Sequence, residues 1–368
     1  MSIVRKQSWF VACCVALGAT ACGGDKGTGP TTSKGTLSDP ANTKAQLQAV
    51  AAPFTTPAFE SFAGLSLYFT PPAAAPGVTA LIRATLPRGP TADAQPYAKR
   101  VLHARALANA LLGSPITTSI FPTSGTTYVW DPNSLGYVAS SLTGAPSNGI
   151  RFIIYTLSGA YPAVPLNANG YVDFTDRSTA TATILGITLV ATSGTSAVTY
   201  ADYTITGSFS TTSFSLALAG YVSDGTTRVD FSLTDGGTAT VFSFETTMDV
   251  AAAGVHIAFS ETYTEDSPTT ATIDGTFSIA IGQETVAWKD HFSVLAQSPY
   301  TTTGTAELRV NGALVESWSF DQSGSTITYS KQLTPAEQDT ITQVSLAASD
   351  IFTTWFQLLY PAFFYLVV

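Results

Sequence analysis

The chain has 368 residues, of which only 11% are charged, whereas a soluble domain usually carries about 25%. Threonine (56) and serine (36) together fill 92 positions. The net charge of −9 argues against a nucleic-acid partner, because nucleic-acid binders carry a basic surface. The apolar content of 45% argues against a disordered chain.

The N-terminus has the pattern of an export signal. A short positive segment precedes an apolar run over 9–17, which suits a signal peptide and is shorter than the roughly 20 residues that span a bilayer. Small residues at 19–21 then precede Cys22. This ending resembles the signal of bacterial lipoproteins, with Cys22 as the acylated residue, although Ala19 stands where leucine is usual. An ordinary secretory signal cleaved nearby is the alternative.

The cysteine positions fit the same interpretation. All three cysteines lie within the first 22 residues, so removal of a signal peptide over 1–21 leaves Cys22 as the only mature thiol. The mature chain then has no internal disulfide and no cysteine metal site, and no cofactor is predicted. Residues 22–40 are rich in Gly, Thr and Ser, which predicts a flexible tether between the lipid and the folded part. The resemblance implies the outer membrane, because Gly23 and not an aspartate follows the cysteine.

Two helices are predicted before the strands begin. Residues 41–125 form a helical and irregular segment, with helices expected over 41–52 and 93–112. The basic part of this segment, 83–105, has a local charge of +4, whereas residues 200–300 carry −10. The basic segment could therefore dock on the acidic strands or face anionic lipid, and docking within the chain is favoured.

Residues 126–333 alternate between apolar and hydroxyl-bearing side chains with period two. This pattern predicts antiparallel strands with one face in water. The turn sequences Asp224-Gly225, Asp235-Gly236-Gly237 and Asn311-Gly312 are typical of hairpins. We expect twelve to fifteen strands in a long up-and-down meander, forming a curved sheet or half-barrel in a mainly β (α+β) fold. Glycines at 207, 220 and 275 fall on the apolar face, where they allow a bend or a close approach.

The C-terminal region 334–368 reads as a helix and tail that pack on the sheet. Thr334-Pro335-Ala336-Glu337 is a capping box with proline in the first turn. Residues 351–368 contain no charge, so a membrane span is an alternative. Pro361 and the absence of a basic flank favour a core helix instead.

No motif assigns a reaction. The chain lacks nucleophile-elbow, phosphate-loop and zinc-protease motifs, and His256 and His291 fall on the hydroxyl-rich face. No residue is therefore assigned a catalytic or metal-binding role.

Three acids, Glu261, Asp290 and Glu316, fall on the apolar face by period-two counting. Trp288 and Trp318 lie beside Asp290 and Glu316 on that face, and these five residues form a candidate cleft. Neighbouring buried carboxyls could perform acid/base chemistry on a sugar or an ester. The acids could instead lie near strand ends in water, bond hydroxyls, or meet a base on a packed helix. A β-bulge could also turn them to the wet face.

The segments TTYVWDPNSLGYV, GAPSNGIRFIIY and GYVDFTD, within 126–176, resemble those of uncharacterised envelope lipoproteins, which implies no reaction. The expected architecture is similar to that of envelope lipid carriers. We expect a non-enzymatic, membrane-anchored binding or scaffold protein that could accept an apolar small molecule or lipid, without a nucleic-acid partner. A glycan- or ester-acting hydrolase and a surface-exposed adhesive module are the alternatives. The protein partner and the side of the membrane are not readable.

Overall fold

A sheet of 15 strands dominates the part of the chain that the structure describes. The computed structural model describes residues 35–65, 94–112, 121, 123–193, 196–321, 324–344 and 358. The strands are β1 Thr126–Asp131, β2 Gly136–Ser140, β3 Gly149–Tyr155, β4 Leu157–Ser158, β5 Tyr161–Pro162, β6 Ala168–Asp176, β7 Thr183–Ser193, β8 Ser196–Phe209, β9 Phe214–Ser223, β10 Arg228–Gly237, β11 Val241–Val250, β12 Val255–Ser267, β13 Thr270–Ile281, β14 Glu284–Leu295, β15 Thr301–Val310, β16 Ala313–Asp321 and β17 Gly324–Tyr329. Of these, β4 and β5 form a separate small hairpin.

The sheet is an open antiparallel meander, which confirms the predicted fold class. From β6 to β17 every strand pairs with its neighbour in sequence. The order at the other edge is β6-β3-β1-β2, and β1 pairs with β3 in parallel. The simple up-and-down order therefore fails only for these first strands, because the connection 141–148 carries β3 to the far side of β1.

Four helices are described: α1 Pro40–Ala51, α2 Pro57–Leu65, α3 Ala94–Leu111 and a C-terminal helix, α4, over 335–344. The predicted helices 41–52 and 93–112 agree with α1 and α3 to within one residue at each end. Asp39 caps α1, since its carboxylate accepts a hydrogen bond from the Asn42 amide at 3.0 Å. The first helices lie against one face of the sheet, with α2 on β3, β6 and β7 and α3 on β11, β14 and β15. We call this helix-covered side the inner face and the opposite side the outer face.

The core lies between the inner face and the helices. In β10, for example, Val229, Phe231 and Leu233 are buried whereas Arg228 and Ser232 are exposed. Burying one large apolar side chain contributes about 1.5–3 kcal/mol, so many strands with such alternation specify which face meets the helices.

Residues 35–39, which the sequence prediction assigned to a flexible tether, dock on the fold. Leu37 is buried with Val315 and other aliphatic residues of β14–β16. The Asn311 side chain donates to the Thr36 carbonyl at 2.7 Å, and Lys331 Nζ donates to the Gly35 carbonyl at 3.0 Å. The buried leucine and these hydrogen bonds together hold the segment on the sheet. The rest of the predicted tether and the signal peptide lie outside the described residues.

The capping box predicted before α4 is present. The Thr334 amide and hydroxyl both donate to Glu337 Oε2 at 2.7 Å, and the Glu337 amide returns a bond to the threonine hydroxyl. Glu337 Oε1 also accepts from the Leu37 amide at 3.2 Å, so the cap fastens the N-terminal segment. Burial pushes the pKa of Glu337 upward, but the hydrogen bonds from Thr334 and Leu37 together with the charge of Lys331 lower it overall.

Further along the C-terminus, Val344 and Leu358 are buried in the main core. The Tyr203 hydroxyl donates to the Leu358 carbonyl at 3.1 Å. Residues 345–357 and 359–368 lie outside the described residues, and so does most of the segment weighed as a membrane span. Among the described helices, none has both the length and the apolar character needed to cross a bilayer.

Candidate functional site

All five residues of the predicted cleft lie on the inner face, in two neighbouring cross-strand rows. One row runs Glu261, Gly275, Asp290, Ala306, Trp318 from β12 to β16. The next row runs Phe259, Phe277, Trp288, Leu308, Glu316 over the same strands. Directly opposed residues of antiparallel strands project to the same side, so the register itself places these side chains beneath the helices.

Glu261 is the most enclosed of the three acids, with 3% of its surface exposed. The guanidinium of Arg100, from α3, forms an ion pair with its carboxylate, and the Tyr263 hydroxyl donates to the same carboxylate. Arg100 also lies over the Tyr263 ring, 5.8 Å from its centroid. Desolvation of two buried charges is costly, and these additional bonds help to offset it. Burial in turn raises the pKa of Tyr263 well above its ordinary value.

Asp290 lies beside the Glu261–Arg100 pair. Only Gly275, which has no side chain, stands between the two acids in the cross-strand row. Gly275 is the register partner of both Glu261 and Asp290, and a Cβ atom at position 275 would collide with Oδ1 of Asp290. The Asp290 carboxyl thus occupies the space that a side chain on β13 would fill. Burial, followed by the negative charge of Glu261, raises the pKa of Asp290 to about 7, while Arg100 opposes the rise.

Glu316 is separated from the other two acids. It lies opposite Leu308 on β15, next to a bulge in β16 that leaves Val315 without a register partner. The bulge does not turn Glu316 to the wet face. Burial alone raises the pKa of Glu316, without a contribution from another charge. The structure therefore brings Glu261 and Asp290 together and leaves Glu316 apart.

The two tryptophans have a packing role. Trp288 and Trp318 are partly buried and contact both apolar clusters of the domain. The ring of Trp288 lies 5.3 Å from that of Phe277, centroid to centroid. Both indoles thus join the central core to the smaller cluster around Leu37.

Two further residues at this site, Arg100 on α3 and Asp235 on β10, are absent from the predicted cleft. Arg100 belongs to the same helical stripe as Val101 and Ala104, and a cation in an apolar stripe is a signal for a buried acid opposite. Asp235 was interpreted as part of a hairpin turn, which is wrong. It lies within β10 and faces inward like Leu233, while the turn is formed at 238–240. The alternation of β10, continued for one more residue pair, would have found it.

Asp235 differs from Glu261 in its surroundings. Its carboxyl is 4% exposed, and Oδ1 is buried without a hydrogen-bond partner. Burial raises its pKa from 3.8 to about 8, only partly opposed by a hydrogen bond from the Gly236 backbone. At neutral pH this carboxyl is therefore largely protonated.

The basic helix docks on the acidic strands, as favoured from the charge distribution. Besides the Arg100–Glu261 pair, Arg105 pairs with Glu265 at 3.1 Å and donates to the Pro268 carbonyl at 2.9 Å. The remaining arginines of the basic segment, at 83 and 88, lie outside the described residues.

A small pocket opens beside α3, at the turn between β10 and β11. Val101, Phe242 and Tyr263 line it together with Arg105 and the turn. Only about 20 Å³ of it is wide enough for the centre of a water molecule, which is room for about one water. The pocket is therefore a shallow notch beside the buried ion pair.

Both strand histidines lie on the outer face, as predicted. His256 contacts Asp249 at 2.6 Å and His291 contacts Asp274 at 2.7 Å, with all four side chains about half exposed. Among the described residues, no group of three or more histidine, cysteine or acidic side chains could hold a metal ion.

The chain was also compared with known proteins. No protein-family model, curated protein or solved structure matches it. The chemistry of the inner face is therefore argued from its own geometry. It offers a buried carboxylate bonded by an arginine and a phenol, beside a second carboxyl whose pKa is raised to about 7 by burial.

Proposed function

We propose that this protein is a lipid-anchored protein of the bacterial envelope whose β domain serves as a binding scaffold and not as an enzyme. Cys22 is the proposed acylation site, and the segment from there to about residue 34 is the proposed tether. The absence of aspartate after the cysteine favours the outer membrane as the destination.

The observation that carries the anchoring proposal is the position of Cys22. It is the last cysteine of the chain, it follows small residues at the end of an apolar run, and it stands 13 positions before Gly35, where the chain docks. Two or more acyl chains hold a protein on a membrane far more firmly than one, because each buried CH₂ contributes about 0.8 kcal/mol.

The engagement of the inner acids supports a scaffold role. Glu261 is bonded by Arg100 and Tyr263 beneath α3, so its carboxylate serves to fasten a helix to the sheet. Binding of an apolar ligand beside the same helix would require the side chains around the pocket to move apart, because the pocket has room for about one water molecule.

The test of anchoring is a comparison of Cys22→Ser with Cys14→Ser. Cells fed an alkyne-bearing fatty acid should label the natural chain and the Cys14→Ser control, and Cys22→Ser should lose the label. Intact mass of the purified protein should show cleavage before Cys22 and the added acyl groups. Equal labelling of both variants, or cleavage at another residue, would refute the anchoring.

One observation favours the hydrolase alternative. Burial raises the pKa of Asp290 to about 7, and Asp290 lies next to the carboxyl of Glu261, so that two neighbouring carboxyl groups could serve as acid and base. Asp290→Asn separates the alternatives. A catalytic Asp290 predicts loss of turnover of glycan or ester substrates with stability kept or raised, whereas a structural Asp290 changes stability alone. Asp274→Asn, on the outer face of the neighbouring strand, is the matched control.

A further inference from the structure

We propose that one end of the sheet lies on the bilayer, with the loops after β1 and β3 inserting apolar side chains into its interface. This inference rests on the proposed lipid anchoring and adds the orientation of the domain on the membrane. The partner is the lipid surface itself.

The strand directions define this end. β1 and β3 run in parallel, and from β3 onward the strands alternate in direction across the sheet. The connections after β1, β3, β9, β11, β13 and β15 therefore all leave the sheet at one end, which we call the rim. The connections after β2, β6, β8, β10, β12 and β14 leave at the opposite end.

Exposed apolar side chains concentrate at the rim. Among the described residues, eight large apolar side chains are exposed, and five of them belong to the rim: Leu135, Tyr161, Val164, Leu166 and Tyr329. Leu142 and Val241 lie at the opposite end, and Val138 lies on the edge strand β2. Val164 is the most exposed of all, at 76%.

The loop after β3 holds these side chains outward on a fixed backbone. Its ends are closed by the Thr156 amide bond to the Asn167 carbonyl and the Ala163 amide bond to the Thr156 carbonyl. The Tyr161 ring packs 6.3 Å from Trp130 at the end of β1, which joins the loop to the neighbouring turn. The connections 132–135 and 156–167 contain no charged residue, and the nearest charge is Asp131 at the end of β1, whose carboxylate accepts from the Asn133 amide at 2.9 Å.

The same end receives the tether. Gly35 and Thr36 are bound at the turn after β15 and at Lys331 after β17, and both positions belong to the rim. The 13 residues from Cys22 to Gly35 reach at most about 45 Å when extended, so an acylated Cys22 keeps the domain close to the bilayer. Tyr329 and Tyr161 lie toward the two lateral edges of the rim, and tyrosine favours the membrane–water interface because it is amphipathic.

This entry point favours the bilayer over a second copy of the chain as the occupant. A dimer formed through the apolar loops could form wherever the tether joins the domain. Binding to the bilayer requires the apolar loops and the end of the tether to lie at the same end of the sheet, and the strand directions place both at the rim.

Site-directed labelling tests this orientation. Val164→Cys and Leu166→Cys at the rim are compared with Thr211→Cys, an exposed residue in the turn after β8 at the opposite end. The full chain in native membranes is treated with a charged, water-soluble maleimide, before and after detergent. Burial in the interface should slow rim labelling about fivefold or more relative to detergent, whereas Thr211→Cys should change less than about twofold.

Each outcome bears on the proposal. Equal labelling of the rim and Thr211→Cys variants in membranes would refute the proposal that the rim lies on the bilayer, even where the fatty-acid label on Cys22 is intact. Should the chain prove unacylated and soluble, the same labelling is done with Cys13, Cys14 and Cys22 replaced by serine and with added phosphatidylethanolamine–phosphatidylglycerol vesicles, and rim protection there supports the surface without the anchor. Rim protection that persists in detergent, accompanied by a dimer in sedimentation, would identify a second copy as the occupant and overturn the proposal.

Discussion

The two faces of the sheet use the same acidic side chains in opposite ways. On the outer face, Asp249 and Asp274 pair with histidines and remain about half exposed. On the inner face, Glu261 meets an arginine in the core, and Asp290 and Asp235 are buried strongly enough that the pKa of each is raised to 7 or above. Because side chains alternate between the two faces, adjacent residues of one strand lie in these two different environments.

The difference indicates that the contribution of an ion pair to stability depends on whether the pair lies on the exposed outer face or on the buried inner face. Exposed pairs contribute about 0–1 kcal/mol, because water already solvates both partners. Removing one partner of a buried pair costs about 3–5 kcal/mol, since the remaining charge has neither water nor a counter-ion. We therefore expect the stability of the inner face to depend on a few long-range contacts, whereas the outer face should tolerate substitution of its charged residues.

The largest effect is expected from Arg100→Met. It leaves the Glu261 carboxylate buried beside Asp290 without its cation, and the free energy of unfolding should fall by about 3–5 kcal/mol. Denaturant melts at pH 7 measure it. Arg309→Met removes an exposed pair with Glu307 on the outer face and should cost less than about 1 kcal/mol. Similar losses for both variants would remove the distinction between the faces.

The second prediction concerns the protonation of Asp235. Its pKa is about 8 in the folded chain and 3.8 when unperturbed, so between these values the folded state keeps a proton that the unfolded state has lost. The free energy of unfolding should therefore fall as pH rises from about 4 to 8, with a slope of up to about 1.4 kcal/mol per pH unit for one proton.

Asp235→Asn should remove this contribution and make the chain more stable than the natural one at pH 8. Asp230→Asn, on the outer face of the same strand, is the comparison variant. Melts at pH 5, 6, 7 and 8 compare the three chains. An unchanged slope in Asp235→Asn would mean that this carboxyl is ionised in the fold.

A third, smaller effect is expected at Gly275. Gly275→Ala places a methyl group where the Asp290 carboxyl lies, and overpacking of this kind costs about 1–3 kcal/mol. The double variant Gly275→Ala/Asp290→Ala should recover most of this loss, because the alanine at 290 vacates the space. A double-mutant cycle measures the coupling, and simple additivity would show that the two residues do not share the site.

The smallest effect is expected on the outer face. His256→Gln removes an exposed contact with Asp249 and should change the free energy of unfolding by less than about 1 kcal/mol. A larger loss would show that the outer face also carries structural charge pairs, and the contrast between the faces would then need revision.

Local spacing was sufficient for much of this fold. Period-two alternation assigned Glu261, Asp290 and Glu316 to the inner face and His256 to the outer face, and the structure agrees. The capping box at Thr334 and the bounds of α1 and α3 were equally readable. These features depend on residues a few positions apart, and their geometry follows from the strand or helix period alone.

What the sequence determined by itself was therefore which side of each element faces the core. Tertiary structure decided which side chains meet there. Arg100 and Glu261 are 161 residues apart, and no local pattern names one as the partner of the other. The docking of Leu37 was likewise decided by packing against β14–β16. It depends on strands that come together only when the sheet is complete.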